Sequence, residues 1–427
     1  MFNHRAGTMF SLAAVAALAL TACSSPGGGT PSTPAPPPST PATSVATTPA
    51  GADYTGITLT IWTDQDRYKA IEAAAAKFQT ATHAKVTLVT KDNGKMRDEY
   101  TAAVPTGQGP DIVVGAHDWL GGLIQNGVVA PIQLGDKAKL FTPVAVDAFT
   151  YNGQVYGVPY AIENIALIRN TALAPTAPAT WDDMIAASKA LKSKVPVALQ
   201  VSENGDPYHF YPLQTSFGAP VFKQDATGSY TKEIGMGGDP GHAFAAWLSA
   251  QGKAGNLAVS LDGDKAKSAF INGDTAFYIT GPWSLADIKT AGLKIAVDPI
   301  PSAGGKPAAP FSGVQGFMVS SKSANPIAAT DFLVNYIATD DIQTQLYQVS
   351  NRTPALKSAA DKALASDPVA AGFAKVADNA VPMPSIPEMS AVWTYWGKTE
   401  VALISGSAKD TAKAWDDMIA AIQKDIG

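Results

Sequence analysis

Residues 57–62 alternate branched and polar side chains, the period-two pattern of a strand with one buried face. From 67 to 78 the apolar positions change to helical spacing on an alanine-rich run. A second strand is predicted at 84–90 and a helix at 95–103. Gly109-Pro110 breaks the chain before an apolar strand at 111–115. Strand–helix alternation of this kind predicts βαβ units and a mostly parallel sheet, and so an α/β fold. A second set follows. Thr180-Trp181-Asp182-Asp183 has the capping-box pattern and opens a helix to about Lys192. Strands are predicted at 195–201, 275–280 and 294–300, a short helix after Gly281-Pro282-Trp283, and a helix at 326–338. The heptapeptide Trp-Asp-Asp-Met-Ile-Ala-Ala occurs at 181–187 and again at 415–421. The flanking sequences differ, so it reads as two helix starts with acidic first turns, not as a duplication.

The N-terminal pattern is of another kind. Arg5 precedes an apolar run at 9–20, too short to span a bilayer comfortably and suited to a secretory signal. Leu20-Thr21-Ala22-Cys23 then resembles the bacterial lipobox, the signal for cleavage and lipidation of the cysteine. An ordinary signal peptide with an incidental Cys23 is the alternative. Residues 24–50 are almost entirely Ser, Thr, Pro, Gly and Ala without charge, a composition that buries too little apolar surface to fold. The expected order is a signal peptide at 1–22, then lipidated Cys23 and a Ser/Thr/Pro-rich disordered stalk to 52, then a folded body. The protein would sit on the extracytoplasmic face of the membrane.

Composition narrows the classes. The 427 residues allow two or three domains. A net charge of −5 shows no basic footprint for nucleic acid. The single cysteine rules out an intramolecular disulfide, and the five histidines form no zinc motif. No metal, nucleotide or redox cofactor is implied.

Several blocks in the body carry a resemblance. They are Ile61-Trp62 with Asp64-Gln65-Asp66-Arg67; Gly109-Pro110-Asp111 through His117-Asp118; Tyr151-Asn152-Gly153; and Val158-Pro159-Tyr160 through Glu163. Asp206-Pro207-Tyr208, Gly281-Pro282-Trp283 and Met383-Pro384-Ser385 through Trp393 follow. In order and spacing the chain resembles the maltose/maltodextrin-binding proteins of bacterial ABC importers, from about Ile57 to the C-terminus. The resemblance implies a bilobed periplasmic-binding-protein fold, with two discontinuous α/β lobes and a hinge. The first lobe would take 54–163 and 314–365, the second 164–313 and 366–427. It implies no enzyme activity, a monomer, an α-glucoside ligand and membrane permease subunits as partners.

The matched blocks suit that chemistry. Sugar hydroxyls need directed acceptors and donors, which carboxylates and arginine forks provide, and the apolar C–H faces of the rings suit flat aromatic plates. Asp64, Asp66, Asp118, Glu163 and Asp206 are candidate acceptors and Arg67 a candidate donor. Trp119, Tyr208, Trp283 and Trp393 are candidate plates. Most follow a predicted strand, where ligands bind in open α/β sheets. Plain structural roles compete. Asp64 and Asp66 also fit a helix N-cap, and Asp118 fits a cap for a helix from Leu120. Trp62, Trp181, Trp247 and Trp415 read as packing residues, His117 as a satisfied strand-end histidine and His209 as a rim residue.

Departures from the family pattern bear on specificity. Trp119 stands where close members have arginine, Asp206 where glutamate is frequent, Leu285 for a second tryptophan, and Gly397 for an arginine. They leave maltose, trehalose and longer maltodextrins open. An extracellular glycoside hydrolase, which also pairs carboxylates with tryptophans, is the competing class. Binding of an iron chelate or polyamine is a third.

Overall fold

The computed structural model describes residues 51–226 and 228–427. The expected signal segment, Cys23 and the stalk through residue 50 lie outside them. Among the described residues no helix is long and apolar enough to cross a membrane.

The larger sheet has the central order Thr353–Pro354, Gly157–Glu163, Phe311–Ser320, Ile112–Ala116, Thr58–Thr63, Lys85–Thr90. Thr58–Thr63 pairs in parallel with both Lys85–Thr90 and Ile112–Ala116, as the strand–helix alternation predicts. Phe311–Ser320 runs antiparallel to Ile112–Ala116 and to Gly157–Glu163. The sheet is therefore mixed, which corrects the mostly parallel expectation. A parallel pair needs a crossover connection, and Phe311–Ser320 instead returns from the other half of the molecule. The smaller sheet places Ala166–Asn170 between Phe277–Thr280 and Ile295–Asp298, antiparallel to both. The predicted strand at 195–201 reduces to one parallel bridge, Ala198 with Tyr278.

Two hydrophobic cores follow from these sheets. One gathers residues from Tyr54 to Ala161 and from Val314 to Ala359. Another runs from Ile165 to Phe311 and resumes at Met383, with a satellite cluster beside it. The long strand Phe311–Ser320 begins in the second core and ends in the first. Gly313 pairs with Glu163, so two chain crossings lie side by side between the lobes. The fold is the bilobed periplasmic-binding-protein type.

Helix Gln65–Thr82 starts on Asp64, whose side chain accepts from the Arg67 amide, and ends where His83 turns left-handed at φ 60°. Its buried face is Ala70, Ile71, Ala74, Ala75 and Phe78. The capping box at Thr180 and Asp183 is formed, and it starts helix Trp181–Ala190. The second heptapeptide copy does not start a helix: Thr411–Ile426 is capped by Asp410, so Trp415 lies a turn inside. The predicted helix at 326–338 is Pro326–Asp331 widening into a π-helical turn, Phe332–Ile337. Trp62, Trp181 and Trp415 are core residues, and Trp247 packs against the second core.

Candidate functional site

Strand ends of both lobes converge on one cleft. In the first lobe Thr58–Thr63 delivers Asp64 and Asp66, Ile112–Ala116 delivers Asp118 and Trp119, and Gly157–Glu163 ends on Glu163 itself. In the second, Phe277–Thr280 leads into the Pro282–Ser284 turn that carries Trp283. Tyr208 sits on the first turn of helix Pro207–Phe217, and Trp393 on helix Met389–Ile404.

A central cavity of about 560 Å³ is lined by Asp64, Asp66 and Glu163 from the first lobe and Tyr208 and Trp283 from the second. An adjoining cavity of about 300 Å³ shares Glu163 and Tyr208 and adds Asp118, Trp119 and Trp393. A third, about 450 Å³, continues past Asp66 and Trp283. Shared walls join them into one elongated groove.

Eight of the ten candidate residues line this groove. The other two serve their neighbours. Arg67 is 1% exposed, with its guanidinium 2.9 Å from Asp64 Oδ2 and 5.7 Å from the Tyr160 ring centroid. It positions Asp64 from behind and does not face the cleft. Asp206 caps helix Pro207–Phe217, accepting from the His209 amide at 3.2 Å and bonding His209 Nδ1 at 2.8 Å. Burial raises its pKa, but the His209 charge and these hydrogen bonds outweigh that and hold it below the ordinary value. His209 is buried beneath Tyr208 and Trp283, not on the rim.

Asp64 is at once a helix cap and a cleft residue. Asp66 lies exposed in the first turn. Asp118 does not cap the helix that starts at Leu120. Its carboxyl is buried, and burial pushes its pKa up to about 6, against the opposing charge of Arg97. Glu163 accepts from Gln315 Nε2 at 2.7 Å and pairs with Arg352 Nε.

The candidate aromatic plates are backed by packed rings. Trp393 lies nearly parallel to Trp396, with centroids 5.8 Å apart, and Trp396 donates to Gln214 Oε1 at 3.0 Å from full burial. Phe311 stacks on Tyr211 at 3.6 Å and meets Trp393 edge-on at 6.2 Å. Tyr208 and Trp283 lie 6.2 Å apart. Trp119 and Trp283 each lie over a glycine, Gly115 and Gly281, at which a Cβ would overlap the ring. Trp119 is only 8% exposed and belongs to the first core. Tyr208, Trp283 and Trp393 are instead partly exposed flat rings on a packed apolar bed, the arrangement that can cover sugar C–H faces at little entropic cost.

Two departures from the family pattern now have physical reasons. Leu285 is core. Gly397 packs on the loop at Asn204 and Gly205, so no arginine fits there. Gln315 and Arg352, both cavity-lining, were not anticipated. One lies mid-strand and the other follows a helix, without local periodicity to mark them.

A family model described as "Bacterial extracellular solute-binding protein" matches residues 73–372. The chain is 29% identical over 395 residues to the maltodextrin-binding protein MdxE of Bacillus subtilis, covering 88% of this chain and 92% of that protein. It is 29% identical over 380 residues to a maltooligosaccharide ABC transporter solute-binding lipoprotein of Streptococcus pneumoniae, covering 86% and 88%. Among solved structures, the Thermus thermophilus maltotriose binding protein bound with maltotriose superposes with a TM-score of 0.77 at 31% identity. That match covers 86% of this chain and all of the other. With a bilobed fold, a groove between the lobes and a family match across most of its length, the chain belongs to the bacterial extracellular solute-binding proteins.

Proposed function

We propose that this protein captures maltose/maltodextrin-type α-glucosides between its two lobes and delivers them to an ABC permease, anchored outside the membrane by lipid on Cys23. The lobes are 54–163 with 314–365 and 164–313 with 366–427. The observation that carries the reading is the opposition across one groove of Tyr208, Trp283 and Trp393 to Asp64, Asp66, Asp118 and Glu163. The second lobe positions the sugar rings by stacking, and the first reads their hydroxyls. The names of the relatives support the same class. Sugar binding draws the lobes together, because only the closed form contacts ligand from both sides. Affinity is expected in the micromolar range, about −8 kcal/mol. Trehalose is the alternative disaccharide.

Small-angle scattering with and without maltotriose tests the capture step. The radius of gyration falls on saturation, with a change in tryptophan emission. Unchanged scattering and emission at millimolar sugar reject it. Replacing Cys23 with serine tests the anchor: the protein leaves the membrane fraction, and retention there contradicts lipidation.

A further inference from the structure

Glu163 stands at the junction of the two cavities, yet both of its oxygens are engaged: Oε1 accepts from Gln315 Nε2 at 2.7 Å, and Oε2 from Arg352 Nε. The two side chains that occupy it each carry a further polar atom with no protein partner, Gln315 Oε1 and Arg352 Nη1. Gln315 is 7% exposed and Arg352 6%, and both line the central cavity. Leaving a buried donor or acceptor unpaired costs about 1–3 kcal/mol, more for a charged group. Two such atoms beside one carboxylate therefore mark a place where a ligand completes the hydrogen bonding.

The senses of the two atoms are fixed. A carboxylate only accepts, so the amide must turn its NH₂ to Glu163, which leaves its oxygen as the atom without a protein partner. The guanidinium only donates. One unpaired acceptor and one unpaired donor thus lie beside the same carboxylate, a combination that two neighbouring hydroxyls would satisfy. The Glu163 charge balances that of Arg352, so the pair suits a neutral polyol and not a polyamine. The guanidinium carbon also lies 5.6 Å from the Trp283 ring centroid, so a first-lobe donor touches the second-lobe plate. Tyr208, which lines the same cavity, also has its buried Oη without a partner.

We propose that Gln315 and Arg352 are the specificity-determining pair of this cleft, reading adjacent hydroxyls of the sugar ring that stacks on Trp283. Glu163 is the positioning anion that orients both. The proposal rests on the α-glucoside reading.

The test is calorimetric titration of wild type, Gln315→Met, Gln315→Asn and Arg352→Lys with maltotriose and with maltotriosides each lacking one hydroxyl. Wild type discriminates against loss of particular hydroxyls by about tenfold or more, as expected when a buried polar group of the site is left unpaired. Gln315→Met binds maltotriose about tenfold more weakly. It accepts one deoxy sugar as well as the parent, so the discrimination at that position disappears. Arg352→Lys loses discrimination at a neighbouring hydroxyl. Gln315→Asn, which keeps the amide but withdraws it, behaves as Gln315→Met and covers a failure of that variant to fold. If every variant weakens all sugars by one common factor and keeps the wild-type discrimination, both residues are only structural and the proposal is overturned. If wild type binds none of the sugars, the α-glucoside reading fails and the proposal falls with it.

Discussion

Gly281 forms the floor beneath the indole of Trp283: a Cβ at this position would lie 2.6 Å from Trp283 Cε3 and closer still to two further ring atoms. Its φ of −102° imposes no strain on other residues, so the need for glycine is one of space and not of backbone conformation. Gly281→Ala is therefore expected to push the ring off its bed and weaken sugar binding by about tenfold or more, while circular dichroism stays native. Trp283→Ala and Trp393→Ala should weaken binding to a similar degree. Isotherms that match wild type would dismiss Trp283 and Trp393 as plates.

Asp118 is a buried carboxyl that lines the cleft. Its folded pKa, pushed by burial to about 6, lies above the ordinary carboxylate value of 3.8. The native state thus holds a proton that the unfolded chain releases, and stability due to Asp118 declines as pH rises from about 4 to 6. Above pH 6 the ionised group costs on the order of 3 kcal/mol. Asp118→Asn should melt several degrees higher than wild type at pH 7.5, with the gain shrinking towards pH 4, and should bind sugar more weakly. In wild type, hydroxyls donate to the ionised form, so affinity should rise with pH through 6. A lower melting temperature for Asp118→Asn at pH 7.5 would contradict this account.

His117 titrates in the opposite sense. Its Nδ1 accepts from the Val314 amide at 3.1 Å and its Nε2 donates to the Met383 carbonyl at 2.9 Å, joining the first lobe, the crossing strand and the second lobe. Burial lowers its pKa to about 4, below the ordinary 6.5, so the neutral ring belongs to the native state. Protonation would set a second N–H against the Val314 amide. The stability it supports is complete above pH 6.5 and is lost as pH falls towards 4, on the order of 3 kcal/mol. Because Asp118 masks this in wild type, the slope should emerge in denaturant titrations of Asp118→Asn. It should vanish when His117→Asn is added. A flat profile for Asp118→Asn between pH 6.5 and 4.5 would refute the assignment.

Restoring the arginine of the family pattern at Gly397 should fail. A side chain there meets the Asn204 carbonyl and the Pro207 ring, so Gly397→Arg is expected to lower the melting temperature without improving affinity. Tighter maltotriose binding by this variant would show that the loop yields.

How much could be read from the chain depended on range. That the first-lobe acids and Trp283 would line the cleft was legible because each follows a strand pattern, and the end of a strand is where a cleft residue belongs. Arg67 and Asp206 were misplaced because helix starts use the same residue types: Arg67 backs an N-cap, and Asp206 is one. Gln315 and Arg352 were invisible because only long-range pairing brings them to Glu163. Gln315 is opposite Ala161 and Thr353 opposite Ile162 on the same strand, registers that no local pattern contains. The mixed sheet was missed for the same reason.

The central claim is most directly tested by isothermal titration of the body from Ala52 onward with trehalose, maltose, maltotriose, maltotetraose and the β-linked control cellobiose. The account predicts saturable binding of the α-glucosides with Kd in the micromolar range and none of cellobiose, the rank order counting the subsites filled along the groove. Absence of binding across the panel, or binding of cellobiose as tightly as maltose, would contradict it.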